Sequence, residues 1–456
     1  MADSTPTPDA PSTPAAAPAA PAHTPAPAVT TAPTSAAEAA MQAPPAAPVE
    51  AAASDPLGHL TGWAQEFARK YFTKTVCTFV VNGNVRDLVP MRNPKTRAVE
   101  RYVPLRKYLA DELFAARDLV VYYDRAAGIH FEKREHQVDF NRAVSGYDSL
   151  MGTDLAQKVP KDPARVLSLL ENYAQLRLGE GKRMAVVLDY AETLIPMAEG
   201  GTSPAEDRAT FVALQKWATD PAFLDADFTV VLLTENLRDV QQRFVQSPYT
   251  AEIRIPMPSA EERSAFIAFE LTGREDVFAR SSDVPVHVLA QNTAGLGYVQ
   301  LRAILADVFE NQQRLTFERL SQRKKELIEA EAYGLLEFIE SDLTLDMVAG
   351  HKYAKQHLRE AATAIKTGRP DVMPMGYLVS GPVGTGKTFM ISCFAGEIGI
   401  PMVKLKNFRS QWQGVTEGNL EKILTLLQAM TPVAVMIDEA DAMLGDRDSS
   451  GDSGVS

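Results

Sequence analysis

The sequence predicts an α/β fold built twice, each time around a parallel sheet, and three observations predict it. Several short apolar runs are continuous rather than alternating, as strands covered on both faces must be. Helix entries with recognisable capping residues separate those runs. Late in the chain, "YLVSGPVGTGKTFMISCFAGEIG" (377–399) sets a glycine-rich loop between an apolar run and a helix.

Residues 1–54 stand apart from this pattern. They are almost wholly Ala, Pro, Thr and Ser, as in "APAAPAHTPAPAVTTAPTSAAEAA". Such a segment has no large side chain to bury, and proline disrupts helices, so a disordered, semi-extended tail is expected.

From Leu60 the composition turns globular. "TVCTFVVNGNVRDLV" reads as a buried strand entering a loop, and "RMAVVLDYAETL" and "FTVVLLTEN" as two further strands. The helix in "SPAEDRATFVALQKWA" has Ser203 as its expected N-cap, Pro204 at its first position and Glu206 closing a capping box. "SAEERSAFIAFEL" repeats the device with Ser259 and Glu262. "TAGLGYVQLRAILADVF" enters another helix, and a long charged helix is expected around "FERLSQRKKELIEAEAYGLLEFI", its charges forming a solvated face.

A second unit begins near Ser341, with the helix "HKYAKQHLREAATAI", the strand "YLVS", the glycine loop and a helix from Thr388. "IPMVKL", the amphipathic "EGNLEKILTLLQAM" and the strand "VAVMID" follow. Leu420, Ile423, Leu424 and Leu427 fall at helical spacing and predict one core-facing stripe.

Bulk properties narrow the function classes. The 456 residues are 45% hydrophobic and 23% charged, ordinary globular composition with room for about two or three domains. A net charge of −12 argues against a nucleic-acid partner, because phosphate contacts want a basic surface. Cys77 and Cys393 lie in apolar segments and read as buried, reduced thiols. No apolar run reaches the ~18 residues of a membrane span, so no membrane partner is expected. "MADSTPTPDAPSTP" has neither a basic nor an apolar signal region, and a cytoplasmic location is expected.

"GPVGTGKT" fits G-x-x-x-x-G-K-[ST], with Gly381, Gly386, Lys387 and Thr388 in the fixed positions. Gly381, Gly384 and Gly386 let backbone amides crowd around phosphate oxygens, where a Cβ would intrude. The helix that follows aims its positive end at the same anion. Lys387 is placed to hold the β- and γ-phosphates and the Thr388 hydroxyl to coordinate Mg²⁺. Further on, "PVAVMIDEADAML" carries five apolar residues into Asp438 and Glu439. Asp438 is assigned to the metal and Glu439 to the water that attacks the γ-phosphate.

With these residues in hand, the chain resembles the AAA ATPases of the AAA+ superfamily, which carry a P-loop NTPase fold. The resemblance rests on "MVAGHKYAKQHL", "GPVGTGKT", "SQWQGVTEGNLEKI" and "MIDEADAMLGDR", in that order. It implies an ATP site with Val348 and Gly350 beside the adenine. Gly381, Pro382, Val383, Gly384, Thr385, Gly386, Lys387, Thr388 and Phe389 would surround the phosphates (Walker A), with Lys387 and Glu439 catalytic and Thr388 and Asp438 (Walker B) on Mg²⁺. It further implies a pore loop at Trp412 and Gly414 that grips a protein substrate threaded through a homo-oligomeric ring, a hexamer in the family. Gln413 stands where the family usually has an apolar residue.

The earlier unit resembles a degenerate copy of the same module. In "TFVVNGNVRDL" Gly83 meets Gly381, but "NVRD" replaces the segment ending in Gly-Lys-Thr. In "VVLDYAETL" Asp189 meets Asp438, but Tyr190 stands in place of Glu439, and a tyrosine is no base near neutral pH. "VVLLTENLRDV" resembles the sensor strand, with Asn236 the polar sensor, and "EIRIPMPSAEERSAFI" the link into a helical lid.

The expected organisation is thus a tail (1–54), a degenerate AAA-like domain with a helical lid (55–338), and the N-terminal part of an AAA ATPase domain (339–456), truncated after Walker B. The expected function is hydrolysis of ATP to drive remodelling or unfolding of protein substrates, by a chain that in this length is poorly active. The alternative is a nucleotide-gated assembly scaffold with little or no hydrolysis.

Overall fold

The computed structural model describes residues 56–197, 204–310, 314–332, 335–367, 369, 374–406 and 416–438. Strands β1 (Thr78–Gly83), β2 (Leu88–Arg92), β3 (Val99–Pro104), β4 (Leu119–Asp124), β5 (Gly128–His130), β6 (Met184–Leu188), β7 (Phe228–Leu233) and β8 (Thr250–Ile255) come first. Six of them form one sheet in the order β5-β4-β6-β7-β1-β8, while β2 and β3 pair as a separate antiparallel hairpin. All neighbours in the large sheet are parallel except β4 and β5, so helices must carry the chain back across its faces.

The continuous apolar runs are explained by two cores, one on each face. Along β7, Val230 and Leu232 join the core built with the helices Arg134–Met151, Pro163–Gly179 and Ala205–Thr219. Val231 and Leu233 point the other way, into the core shared with the helix Gly62–Phe72. There Phe67 stacks on Phe79 with ring centroids 4.1 Å apart. A strand buried on both sides favours apolar residues along its whole length; all six of β7 are buried, and its one polar residue, Thr229, accepts from Arg117 at 2.9 Å. Cys77 and Cys393 are buried free thiols, as read from the sequence.

The helices Ala260–Leu271, Glu275–Ser281, Val286–Asn292, Tyr298–Phe309 and Phe317–Glu331 follow as a helical array. The capping box at Ser259 is present: its hydroxyl accepts the Glu262 amide, and the Glu262 carboxylate accepts the Ser259 amide. The one expected at residues 203–206 falls partly outside the described residues. That helix starts at Ala205 with Pro204 at the cap, and the Glu206 carboxylate pairs with Arg125 at 2.8 Å. Ser203 lies outside the described residues.

The long charged helix also ends earlier than its composition suggests. It stops at Glu331, and Leu336–Phe338 forms β9, antiparallel to β10 (Met402–Leu405), which runs parallel to β11 (Ala434–Ile437). Leu336 is buried beside Leu405 and Leu289, so tertiary packing overrides local helix preference there.

Around this small sheet lie the helices Lys352–Lys366, Lys387–Ile398 and Thr416–Ala429. The last buries Ile423, Leu426 and Leu427 against the helical array, with Met430 just beyond its end. This corrects the expected stripe by one step around the helix: Leu424 is half exposed, and the side chain of Leu420 lies outside the described residues. Tyr377–Ser380, expected as a strand, joins no ladder and has Leu378 exposed. In the large sheet β1, by contrast, pairs on both sides, with β7 and β8. Here the residues beyond Asp438 lie outside the described ones, and no described strand flanks Tyr377–Ser380.

Candidate nucleotide site

The glycine loop is an open, solvent-facing turn. Gly384 and Gly386 have φ of 82° and 80°, values that L side chains rarely adopt, so glycine is required by the backbone at both. Thr385 Oγ1 donates to the Pro382 carbonyl at 2.9 Å and closes the turn on itself. Gly386 then opens the helix Lys387–Ile398, whose first turn receives no side-chain cap. The helix therefore begins one residue earlier than expected, at Lys387 rather than Thr388. Uncapped first-turn amides, a helix dipole and no Cβ at three loop positions suit an anion chemically.

Lys387 bridges the turn, its Nζ donating to the carbonyls of Gly381 at 2.8 Å and Pro382 at 2.9 Å. Gly381–Gly386, Thr388 and Phe389 are exposed. Val348, expected beside an adenine, is buried with Leu345, Leu358 and Met390 under the helix Lys352–Lys366, while Gly350 is exposed with φ of 70°. Asp438, at the end of β11, accepts a hydrogen bond from Lys404 on β10 at 2.8 Å. Glu439, Trp412, Gln413 and Gly414 lie outside the described residues.

The corner of the large sheet after β1 is filled. Gly83 has φ of 92°, and a Cβ there would lie 2.5 Å from the Ile255 carbonyl oxygen. Arg86 pairs with Asp189 at 2.7 Å and Glu235 at 3.4 Å. Burial pulls the Arg86 pKa down, but the Asp189 charge and hydrogen bond, together with Tyr190 and Glu235, more than offset it and the net shift is upward. Asn236 caps a short turn, its Oδ1 accepting the Arg238 amide at 3.1 Å. Beside it, Glu192 has a buried Oε2 without a hydrogen-bond partner, and burial raises its pKa. Sequence reading singled out Gly83, Asp189, Tyr190 and Asn236 here but assigned no part to Arg86, Asp87, Glu192 or Glu235. Two adjacent opposite charges directly after a buried strand, in "NVRD", were the available signal.

Two successive α/β units, one around a mostly parallel six-stranded sheet and one in which a glycine-rich loop opens a helix beside a smaller sheet, are the architecture of a nucleotide-binding α/β protein. Three family models match successive stretches: the AAA+ chaperone N-terminal Rossmann-like domain over residues 45–256, the AAA+ chaperone second helical domain over 261–333, and the ATPase family associated with various cellular activities over 377–456. The chain belongs to the AAA+ ATPases of this chaperone type.

Among curated relatives, it is 30% identical over 156 residues to ATP-dependent zinc metalloprotease FtsH 2 of Salinibacter ruber, covering 33% of this chain and 21% of that protein. It is 35% identical over 109 residues to Cell division protein C of Sulfolobus acidocaldarius, covering 22% and 29%. It is 29% identical over 154 residues to Protein Ycf2 of Mesostigma viride, covering 32% and 17%. The chain thus spans less than a third of the length of these relatives. A solved chain of the E. coli MS115-1 HORMA:CdnC:Trip13 complex overlays with a TM-score of 0.36 at 15% identity, covering 59% of this chain and 84% of that one. Among the described residues no helix is long and apolar enough to cross a membrane.

Proposed function

We propose that residues 381–388 bind the phosphates of ATP and that the chain hydrolyses ATP to remodel protein substrates as a ring oligomer. The carrying observation is the open turn itself: glycines at positive φ, an uncapped helix start, and one lysine reaching over the turn. The Lys387 ammonium leaves the two loop carbonyls and pairs with the β- and γ-phosphates. The amides of the loop and first helical turn donate to the same oxygens. Thr388 and Asp438 hold Mg²⁺, which when bound neutralises charge on the phosphates. Asp438 must then exchange its bond to Lys404 for the metal site. Glu439 orients the attacking water and takes its proton.

In this reading residues 55–338 are a non-hydrolysing module, because Tyr190 offers no base and the loop after β1 has neither Lys nor Thr. Trp412 and Gly414 contact the protein substrate. The match to AAA+ chaperone and AAA models, and the ATP-dependent metalloprotease among the relatives, support the assignment. The test is turnover of MgATP by the full-length chain beside its Glu439→Gln variant. Hydrolysis lost with binding kept supports the machine; binding with equal, negligible turnover in both leaves a nucleotide-gated scaffold.

A further inference from the structure

The loop after β1 places two opposite charges where the second module's loop has glycine, lysine and threonine. Arg86 turns toward the strand ends. It pairs with Asp189 and Glu235 and lies over the Tyr190 ring, 3.8 Å from its centroid. Asp87 turns the other way, toward the helical array. Its Oδ2 accepts the Tyr298 amide at 2.8 Å and its Oδ1 the Val299 amide at 2.9 Å, the first two amides of the helix Tyr298–Phe309. Asn84 donates to the same carboxylate at 2.9 Å, and Asp87 is only 6% exposed. The fit is close enough to dictate the neighbour: a Cβ at Gly297 would lie 2.6 Å from Asp87 Oδ2.

The cleft beside these residues is also roofed. Helix Thr416–Ala429 crosses it, with Glu421 accepting from Arg238 at 3.1 Å and Thr425 from Arg254 at 2.8 Å. An anion at a helix start and a cation beside an aspartate are what a bound nucleotide and its metal would contribute.

We propose that residues 84–87 are a built-in ligand. Arg86 supplies the cation at Asp189, Asp87 supplies the anion at the start of helix Tyr298–Phe309, and β1 stays joined to the helical array with no nucleotide bound. The module is thereby held in a single, ligand-independent arrangement and serves as a fixed platform for helix Thr416–Ala429. The comparison with residues 381–388 rests on the reading above, but the tether itself does not.

Amide hydrogen exchange on the full chain, with and without MgATP, tests this. In the unmodified chain, MgATP leaves exchange at 83–87 and 297–300 unchanged. Asp87→Ala speeds exchange at Tyr298 and Val299 by about ten- to a hundredfold, as loss of two charge-assisted hydrogen bonds demands. Gly297→Ala moves the same amides in the same direction, because its methyl displaces the carboxylate. If Asp87→Ala fails to fold, Asp87→Asn keeps the shape, drops the charge and gives a smaller rise. Slowed exchange at 83–87 on adding MgATP, or unchanged exchange at 298–299 in the folded variants, overturns the proposal. Protection at 381–388 reports on the other loop alone, so the two readings fail separately.

Discussion

The Lys387 ammonium donates to the Gly381 carbonyl at 2.8 Å, across the mouth of the turn that it follows. A cation held by two neutral carbonyls in an exposed loop loses little by moving to a phosphate, since the same ammonium then meets an acceptor of full opposite charge. Lys387→Ala is therefore expected to weaken ATP binding by about tenfold or more, read by titration with a fluorescent nucleotide. Its unfolding free energy should stay within about 0.5 kcal/mol of the parent, as for other surface substitutions. Undiminished affinity counts against Lys387 as a phosphate ligand.

Gly83 and Gly62 make a controlled pair. Gly83 combines φ of 92° with a carbonyl oxygen 2.5 Å from where a Cβ would stand, whereas nothing lies within 4 Å at Gly62. Gly83→Ala should cost about 1–3 kcal/mol in denaturant unfolding. Gly62→Ala, at the start of a helix, should be neutral or stabilising by up to about 1 kcal/mol.

Gly396 reverses the usual rule for a glycine inside a helix, where alanine is ordinarily favoured by about 1 kcal/mol. A Cβ there would lie 2.2 Å from the Leu343 carbonyl oxygen and 2.6 Å from that of Ser341. Gly396→Ala is expected to lower the melting temperature. A rise would mean that the 341–343 segment moves aside without cost.

Lys324 links stability to pH. Burial, with the nearby Arg263 charge adding to it, pulls its pKa down to about 8. The unfolded value is about 10.4, so the unfolded chain binds the extra proton between those limits and the cost of the buried charge is relieved as pH rises. Lys324→Met should therefore stabilise the chain below about pH 8, with the gain shrinking toward pH 10. Thermal melts across that range check it, and a gain independent of pH would point to packing instead.

Much of the large sheet was legible because burial on both faces leaves a one-dimensional trace. β6 reads as an unbroken apolar run, and β1 and β7 carry the runs Phe79–Val81 and Val230–Leu233. β4, just as buried, lies in "LVVYYDR" and was passed over, its two tyrosines giving the run a polar look although both rings are buried. Where the structure departs from the reading, partners distant in sequence decide. Pro204 sits at the cap of its helix rather than at the first helical position, with Glu206 paired to Arg125, and Leu336 leaves the helical pattern to pair with β10. Tyr377–Ser380 has strand composition, but a strand needs neighbours, and none of the described strands flanks it. At the candidate site the glycine spacing revealed the turn. The parts played by Arg86 and Asp87 were half visible: the lack of a lysine after β1 showed in the sequence, but the far helix that Asp87 reaches did not.

Gly297 has an ordinary φ of −83°, so its own backbone does not demand glycine; the Asp87 carboxylate does. Helix starts favour Ser, Thr, Asp or Asn at that position, and here the cap comes from a residue far away in the chain. The two positions should therefore drift as a pair among related genes. Where a lineage gives up the acid at 87, position 297 becomes free to take a serine or aspartate of its own, and an acid at 87 beside a bulky residue at 297 should be the combination that selection removes.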